Sequence, residues 1–287
     1  MSGRGIPRQE DRDDGDGDSA EEQRRVSGTT LEKVKDIIIE VSSPIEPLAR
    51  KAYDSPPVRW FRENLSSSED AREHRQIRAV IKGVLANDFN CVDVGTHRGE
   101  LLRTIVRFAP TGTHYAFEPI PSLYQDLIKS FPAARVYQIA LSDEPGITTF
   151  YYVPRYSAFS GLRQRPYPSD NIAVRQIEVR QDTLDDIVNG EVPIHFIKID
   201  VEGAEFNVLK GAASTIRTNK PIIIFEHELA AIEQYGHNSD EVYELLSDYG
   251  LHVSLIGDWL QNRKALDQQD FVEHVKRRTK INFIAYP

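Results

Sequence analysis

The stretch Cys91-Val-Asp-Val-Gly-Thr-His-Arg-Gly-Glu100 decides the fold of this chain. Its apolar first half predicts a buried strand that ends at Gly95, and a helix is predicted to begin after Gly99. Because glycine has no Cβ atom, such a turn lets a ligand lie directly against the backbone. A second apolar strand, His114-Tyr-Ala-Phe-Glu-Pro119, ends in the carboxylate of Glu118. Together the two strands predict half of a nucleoside-binding α/β sheet.

The composition bounds the class of protein. The chain has 287 residues, of which 40% are hydrophobic, and this fits one large α/β domain with additions. No apolar run has membrane-spanning length and the N-terminus has no hydrophobic signal core, so we expect a soluble, cytoplasmic protein without a membrane span. The single cysteine, Cys91, excludes an internal disulfide framework and a zinc site built on several thiolates.

Three regions differ in their sequence pattern. Residues 1–28 form an acidic Gly/Asp-rich segment that carries most of the net charge of −9, and this composition predicts a disordered tail, either simply solvated or used for interactions. Residues 29–89 show apolar positions at helical spacing and predict a helical N-terminal extension that packs on the main domain or partly roofs its site. Residues 90–287 form the main domain. No basic stripe interleaved with aromatics suggests nucleic-acid binding.

Strands and helices alternate beyond residue 90. This alternation predicts a doubly wound, seven-stranded, mostly parallel sheet with an antiparallel edge formed by short final strands. The stretches Ile147–Val153 and Val174–Gln181 interrupt the alternation and predict a hairpin-like insertion. The predicted strands are Cys91–Val94, His114–Phe117, Arg135–Leu141, Ile194–Asp200, Pro221–Glu226, His252–Ile256 and Ile281–Tyr286. The predicted helices are Leu101–Phe108, Ser122–Ser130, Ala204–Ile216 and Asp240–Tyr249.

The residues at the carboxyl ends of the strands indicate the type of ligand. Glu118 could accept hydrogen bonds from the two hydroxyls of a ribose and would repel a 2′-phosphate. The turn from Gly95 to Gly99 lacks the middle glycine of G-x-G-x-x-G, which lets a backbone approach a pyrophosphate. The spacing therefore favours a nucleoside without a diphosphate, although tight strand-to-helix packing alone could also explain the two glycines.

Several ordered blocks extend this pattern along the main domain. They are Val92-Asp-Val-Gly-Thr-His-Arg-Gly99, Phe117-Glu-Pro119, Ala140-Leu-Ser-Asp143 followed by Gly146, Thr183-Leu-Asp-Asp186, Phe196-Ile-Lys-Ile-Asp-Val-Glu-Gly-Ala-Glu205 and Val208-Leu-Lys-Gly-Ala212. From about Asn90 to Pro287 the chain resembles the FkbM-type S-adenosylmethionine-dependent methyltransferases, whose domain is of class I and Rossmann-like. The residues Thr96-His97 depart from the Ala-Asn that is common in this family.

The resemblance implies S-adenosylmethionine as the cofactor and assigns roles to individual residues. Asp93 and the amides of the glycine turn would hold the methionine portion, Glu118 the ribose, and Ser142 or Asp143 the adenine amino group. Asp93 could instead tie down loop amides, and Asp143 could be a turn residue. The cofactor-binding residues implied in this way are Asp93, Gly95, Thr96, Gly99, Glu118, Ser142, Asp143, Ser160 and Asp200.

Transfer of a methyl group to a hydroxyl needs a base for the hydroxyl proton. His227 is the first candidate because a buried strand ends just before it, and Asp200 and Glu226 follow. His227 could equally be a structural histidine. Asp200, Glu202, Glu226 and His227 could also hold a divalent cation, but the helix dipole already accounts for Glu202, and we expect no metal requirement.

The acceptors implied by the resemblance are sugars, glycolipids and secondary metabolites, so the partner would be a small molecule or a glycan. Aromatic side chains of the insertion could line its pocket or simply pack the strands. These side chains are Tyr151, Tyr152, Tyr156, Phe159 and Tyr167. Two other functions remain open at this point: an NAD-dependent oxidoreductase of Rossmann type, and a noncatalytic nucleoside-binding module.

Overall fold

The computed structural model describes residues 69–164, 173–277 and 282–287 of the chain. These residues belong to the second of two compact units, Arg62–Pro287. The predicted acidic tail, most of the predicted N-terminal extension and Tyr167 lie outside the described residues. Within the described ranges, no helix combines the length and the apolar character needed to cross a membrane.

The described strands form two sheets. In chain order they are β1 Cys91–Val94, β2 His114–Phe117, β3 Arg135–Tyr137, β4 Ala140–Leu141, β5 Gly146–Tyr152, β6 Arg175–Asp182, β7 Phe196–Ile199, β8 Ile222–Glu226, β9 His252–Leu255 and β10 Asn282–Tyr286. The main sheet has the order β3-β2-β1-β7-β8-β10-β9, and β4, β6 and β5 form a smaller sheet. All neighbours in the main sheet are parallel except β10, which runs antiparallel to β8 and β9. The predicted doubly wound, mostly parallel sheet of seven strands is confirmed.

The helices lie between these strands. In chain order they are α1 Glu69–Val84, α2 Glu100–Phe108, α3 Pro121–Ser130, α4 Leu184–Val188, α5 Glu205–Lys210, α6 Ala213–Asn219, α7 Leu229–Ile232, α8 Ser239–Asp248, α9 Ile256–Trp259 and α10 Gln268–Lys276. Two short 3₁₀ helices span Pro154–Phe159 and Glu233–Tyr235.

The structure corrects two details of the sequence-based assignment. The predicted strand Arg135–Leu141 is divided, because β3 pairs with β2 whereas β4 leaves the main sheet and pairs with β6. The predicted helix Ala204–Ile216 is two helices, and Gly211 at the break lies so close to the backbone that an added Cβ would be 2.0 Å from the Ser142 carbonyl oxygen. The expected antiparallel edge formed by the final strands is present, and the structure adds the order of these strands, with β10 between β8 and the edge strand β9.

Apolar layers cover both faces of the main sheet. The central strand β7 is buried along its whole length, as expected for a parallel strand with helices on both sides. On one face, Ile77, Val80 and Ile81 of α1 pack in a cluster that includes Cys91 and Ile224. The thiol of Cys91 is buried, as predicted. α1 is therefore part of the folded domain and extends along it towards the carboxyl ends of the strands.

The strand order places the ligand-binding edge of the sheet. The chain leads from β1 outward to β2 and β3, then crosses to β7 on the other side of β1 and continues to β8. In open α/β sheets, the crevice beyond the carboxyl ends of the strands at such a reversal is the place where ligands bind. The loops after β1 and β7 are therefore the first place to look for a functional site.

Candidate functional site

Two glycines shape the loop after β1. Gly95 has φ 76°, and a Cβ atom there would lie 1.8 Å from the carbonyl oxygen of Asp200. Gly99 has φ 74°, and its Cβ would lie 2.5 Å from the ring of Phe131. Side chains do not fit at either position. The loop therefore packs directly against the start of the β7 loop on one side and against the chain after α3 on the other.

Glu118 joins the loops that follow β1 and β2. One of its carboxylate oxygens accepts a hydrogen bond from the backbone N–H of His97 and the other accepts one from Ile120, both at 2.8 Å. Glu118 is 3% exposed, and burial raises its pKa to about 7 although the two backbone hydrogen bonds act in the opposite direction. This carboxylate therefore holds the two loops together. Its role with a ribose stays a prediction.

Asp93 has a buried carboxylate oxygen without a partner. The residue is 2% exposed, and its Oδ2 has no hydrogen-bond partner in the part of the chain that the structure describes. Burial raises the pKa of Asp93 to about 7; the Lys198 ammonium lowers it and the Asp200 charge raises it further. The backbone N–H of Leu102 also acts on this carboxylate and lowers its pKa, but Oδ2 remains without a partner. An acceptor left in this state fits a ligand that brings a hydrogen-bond donor or a positive charge.

A cavity opens beside Asp93 and the glycine turn. Its volume is about 190 Å³. Its lining includes His74, Arg78, Asp93, Gly95, Lys198, Asp200 and Asn282. Thr96 and His97 also line it, and the Thr96 hydroxyl donates to the backbone oxygen of Asp93 at 2.8 Å. Gly95, Thr96, Asp93 and Asp200 are thus brought together.

Lys198, Asp200 and Glu226 form a charged group at the ends of β7 and β8. The Lys198 ammonium donates to Asp200 Oδ2 at 2.8 Å. Burial raises the pKa of Asp200, but the Lys198 charge and a hydrogen bond with Glu226 outweigh it, so that the pKa lies below its usual range. Burial and the Asp200 and Glu205 charges raise the pKa of Glu226 well above its usual range. Of these two carboxyl groups, Asp200 is therefore the more readily ionised and Glu226 binds a proton more tightly.

The same carboxylates can be considered as metal ligands. One oxygen from each of Asp200, Glu202 and Glu226 lies within 4.8 Å of the other two. Oxygen ligands at such a spacing suit a hard divalent cation. The proton shared by Asp200 and Glu226 is the other way to relieve the repulsion between these carboxylates. His227, the fourth ligand considered from the sequence, does not join this group.

His227 lies in the core instead. It is 1% exposed, and its ring centroid is 5.3 Å from that of Phe271. Its Nε2 is 3.0 Å from the Ser239 hydroxyl, and its Nδ1 is buried without a partner among the described residues. Burial lowers the pKa of His227 to about 4. With no exposed atom to reach an acceptor, His227 has the surroundings of a structural histidine, which the sequence left as an alternative.

Ser142, Asp143 and Ser160 do not line the cavity beside the glycine turn. Asp143 accepts hydrogen bonds from the Asn207 amide at 2.8 Å and from the Lys210 ammonium at 2.7 Å. Burial raises the pKa of Asp143, but these two contacts outweigh it and lower the pKa. The buried Ser160 hydroxyl accepts the N–H of Val153 at 3.0 Å. Both Asp143 and Ser160 therefore have structural contacts already.

Ser142 and Asp143 also line a second, more polar cavity of about 420 Å³. Tyr151 from β5, Asn207 from α5 and Tyr235 complete much of its wall. Tyr151 is one of the insertion aromatics considered as an acceptor contact. The cavity lies at the junction of the small sheet with α5, on the side of the adenine contacts implied by the resemblance.

Sequence reasoning did not single out several lining residues. His74 and Arg78 come from α1, Asn282 comes from the first position of β10, and Tyr235 comes from a 3₁₀ helix. The i, i+4 spacing of His74 and Arg78 places both on one face of a helix, and this was the available signal. Which way that face points depends on the packing of α1.

Comparison with known proteins agrees with these observations. A protein of Pseudomonas aeruginosa described as the AMB antimetabolite synthetase AmbE is 27% identical over 214 residues, which cover 62% of this chain. The chain spans only 10% of the length of that protein.

Among solved structures, the methyltransferase FkbM of Methylobacillus flagellatus is 17% identical, with a TM-score of 0.42, and the match covers 70% of this chain and 44% of that one. A StiE O-MT fragment, residues 942–1257, is 11% identical, with a TM-score of 0.41, and the match covers 85% and 80% of the two chains.

The family match covers the site itself. Residues 93–253, more than half of the chain, match the family described as the methyltransferase FkbM domain. This range begins at Asp93, includes the glycine turn and the Lys198, Asp200 and Glu226 group, and ends in β9. The sheet around it is the doubly wound, mostly parallel, Rossmann-like sheet of seven strands that the sequence predicted. The chain belongs to the FkbM methyltransferase domain family.

Proposed function

We propose that this protein transfers the methyl group of S-adenosylmethionine to a hydroxyl oxygen of a small molecule or a glycan. The observation that carries the proposal is the unpartnered carboxylate oxygen of Asp93, buried beside a glycine turn at the carboxyl edge of the sheet. The methionine portion of the cofactor bears an ammonium group and a sulfonium, and Asp93 and Asp200 offer negative charge to both. When bound, the cofactor supplies an electrophilic methyl group.

The residues that would hold the cofactor follow from their places in the fold. Asp93 and the backbone of the Gly95 turn would hold the methionine portion, and Glu118 would receive the ribose. Glu118 would do so with the lone pairs that the amides of His97 and Ile120 leave free. The cavity beside Ser142 would take the adenine. Since Asp143 already accepts from Asn207 and Lys210, Ser142 is the freer of the two predicted adenine contacts.

Asp200 is the base that the geometry favours. Methyl transfer is an in-line displacement, so the protein aligns the acceptor oxygen and removes its proton. The oxygen becomes strongly acidic as its bond to carbon forms, and therefore an ionised carboxylate of low pKa suffices as the acceptor of the proton. Asp200 is half-buried, has a lowered pKa and lines the cavity, whereas His227 is enclosed in the core.

The first experiment is calorimetric titration of the full chain with S-adenosylmethionine and S-adenosylhomocysteine. We expect both to bind with 1:1 stoichiometry. If neither compound binds, the proposal is contradicted. Binding without turnover on any acceptor would favour a noncatalytic nucleoside-binding module. Membership of a methyltransferase family already argues against the NAD-dependent oxidoreductase.

The second experiment identifies the acceptor and the base. Transfer of a labelled methyl group would be measured with panels of sugars, glycolipids and secondary metabolites, and the similarity to an antimetabolite synthetase gives the last class priority. Once an acceptor is identified, we expect Asp200→Asn to lower kcat about 100-fold or more. S-adenosylhomocysteine, which has no sulfonium, should still bind to this variant. If His227→Gln lowers kcat and Asp200→Asn leaves it unchanged, His227 and not Asp200 is the base.

A further inference from the structure

The helix α1 brings two basic side chains to the cavity beside the glycine turn. His74 and Arg78 are one turn apart on α1 and both line the cavity that contains Asp93 and Asp200. Both side chains come from outside the sheet. The cavity therefore combines carboxylates from the strand ends with basic side chains from β7 and from α1.

The position of α1 relative to this cavity is held by packing and by a buried hydrogen bond. Ile77, Val80 and Ile81 are almost fully buried against the sheet. The buried carboxylate of Glu73 accepts a hydrogen bond at 3.0 Å from the side-chain amide of Asn282, at the start of β10. Glu73 and Ile77 immediately precede His74 and Arg78 in the sequence. Their buried contacts therefore determine the orientation of this turn of α1.

Arg78 has no charged partner in the described part of the chain. It is exposed, and none of the ion pairs or hydrogen bonds among the described residues includes it. His74 differs, since its charge interacts with that of Asp200. A guanidinium that lines a cavity and has no carboxylate of its own suits a carboxylate of a ligand, which it can bind through two parallel N–H groups.

The same cavity also contains unsatisfied acceptors. Asp93 Oδ2 and Asn282 Oδ1 are both buried without hydrogen-bond partners among the described residues, and both residues line this cavity. Donors are needed there, and a protonated amine has three. A guanidinium and unsatisfied acceptors in one cavity match a zwitterion that carries a carboxylate and an ammonium on one carbon.

The size of the cavity agrees with such a group. Its volume of about 190 Å³ is below the roughly 300 to 1,000 Å³ of pockets that enclose a whole ligand, so it suits one end of a longer molecule. Glu118 follows β2, the strand next to β1 in the sheet.

We propose that Arg78 binds the α-carboxylate of the methionine portion of the cofactor, while Asp93 Oδ2 and Asn282 Oδ1 accept hydrogen bonds from its α-ammonium. The proposal rests on the function proposed above and assigns a cofactor contact to the helix that precedes the matched family range. α1 is then a part of the cofactor site as well as a cover for the sheet.

The test compares S-adenosylhomocysteine with its decarboxylated analogue, which keeps the amine, by calorimetric titration of the full chain. We expect the wild-type protein to prefer S-adenosylhomocysteine about 10- to 100-fold, because a hydrogen-bonded charge pair is lost with the carboxylate. Arg78→Gln should lose this preference by binding S-adenosylhomocysteine more weakly while binding the analogue as before. Arg78→Lys should restore part of the preference.

The matched control is Arg75→Gln, an exposed arginine on the same helix that does not line the cavity. It should leave the affinities for both compounds unchanged, and thermal unfolding should show all three variants folded as the wild type is. An Arg78→Gln variant with the wild-type preference, or one that binds both compounds equally more weakly, would overturn the assignment. Failure of the wild-type protein to bind S-adenosylhomocysteine at all would instead remove the proposed function.

Discussion

Asp93 is held by the fold in a place where its charge is unfavourable. The residue is enclosed at the end of β1, and burial, with the nearby Asp200 charge, raises its pKa to about 7 despite the ammonium of Lys198. An apolar residue would suit the strand better if stability were the only requirement. A carboxylate kept in this position is typical of a site that awaits a positively charged ligand.

The raised pKa of Asp93 makes a prediction about stability against pH. Because the pKa in the folded state exceeds the ordinary value of 3.8, the folded state binds the proton more tightly than the unfolded state does. The contribution of Asp93 is therefore fully present below about pH 4 and is lost as the pH rises through about 7. In Asp93→Asn this titration is absent, so the variant should gain stability relative to the wild type between pH 5 and pH 8.

The measurement is urea unfolding of both proteins at the two pH values. The exposed residue Asp88 provides the control, since Asp88→Asn should show the same difference from the wild type at both. Asp93→Asn should also bind S-adenosylmethionine at least tenfold more weakly at pH 8. A stability difference between Asp93→Asn and the wild type that is the same at pH 5 and pH 8 would contradict the assignment of the raised pKa.

Among the elements, the loop after β1 depends on close backbone contact with the loop after β7. Gly95 and Gly236 have nearly the same positive φ, 76° and 79°, but only Gly95 has a neighbour within reach of a Cβ atom. Gly236→Ala should therefore cost only the strain of the left-handed backbone, about 1–2 kcal/mol. Gly95→Ala should cost more than that and should also weaken cofactor binding, because the Asp200 carbonyl must move.

Urea unfolding of the two glycine variants, with cofactor titration of each, checks this prediction. The comparison keeps the strain of the backbone constant and isolates the contact. Equal losses of stability in the two variants would mean that the loop after β1 can move away from β7 without penalty.

The loop after β7 depends on Glu205, the first residue of α5. Its Oε1 accepts the backbone N–H groups of Val201 at 3.0 Å and Gly203 at 3.2 Å, and the residue is buried. Glu205→Gln keeps this oxygen and should be nearly as stable as the wild type. Glu205→Ala removes the acceptor from both groups and should lose about 1–3 kcal/mol. Thermal unfolding distinguishes the two outcomes, and equal stability of both variants would show that the hydrogen bonds contribute nothing.

At the scale of the whole molecule, several buried carboxyl groups with raised pKa values lie at the carboxyl edge of the sheet. Burial raises the pKa of Asp93, Glu118 and Glu205 to about 7 each, and it also raises that of Glu226 well above its usual range. The strands that carry Asp93 and Glu226 are brought to the same edge by the parallel order of the sheet. A cation bound at this edge favours the ionised forms and lowers these pKa values.

Cofactor binding should therefore release protons near pH 6.5. Titration of the protein in two buffers of different ionisation enthalpy measures this release directly. S-adenosylmethionine should release more protons than S-adenosylhomocysteine, because only the former carries the sulfonium, and its affinity should rise with pH up to about 7. Equal release with both compounds, or uptake of protons, would show that the sulfonium does not lie near these acids.

Much of the fold and part of the site could be predicted from local patterns. The apolar stretch from Cys91 to Val94, the two glycines and the carboxylate after β2 indicate their structure through backbone conformation and side-chain type, which are properties of neighbouring residues. The order of the strand, turn and helix patterns predicted the doubly wound sheet, and the ordered blocks predicted the family. The predicted element boundaries were wrong at β4, which pairs with β6, and at Gly211, which contacts the backbone of Ser142. Both contacts are with residues distant in sequence, so local patterns did not indicate them.

The sequence by itself determined the class of fold, the family and the acids that end the strands. Only the tertiary structure decided which of these side chains share a site. His227 follows Glu226 directly, yet it is enclosed beside Phe271 while Glu226 interacts with Asp200. Successive side chains near a strand point in different directions, and which direction leads to the site depends on what packs against the sheet. For the same reason, only the packing of α1 could bring Arg78 to the cavity beside Asp93.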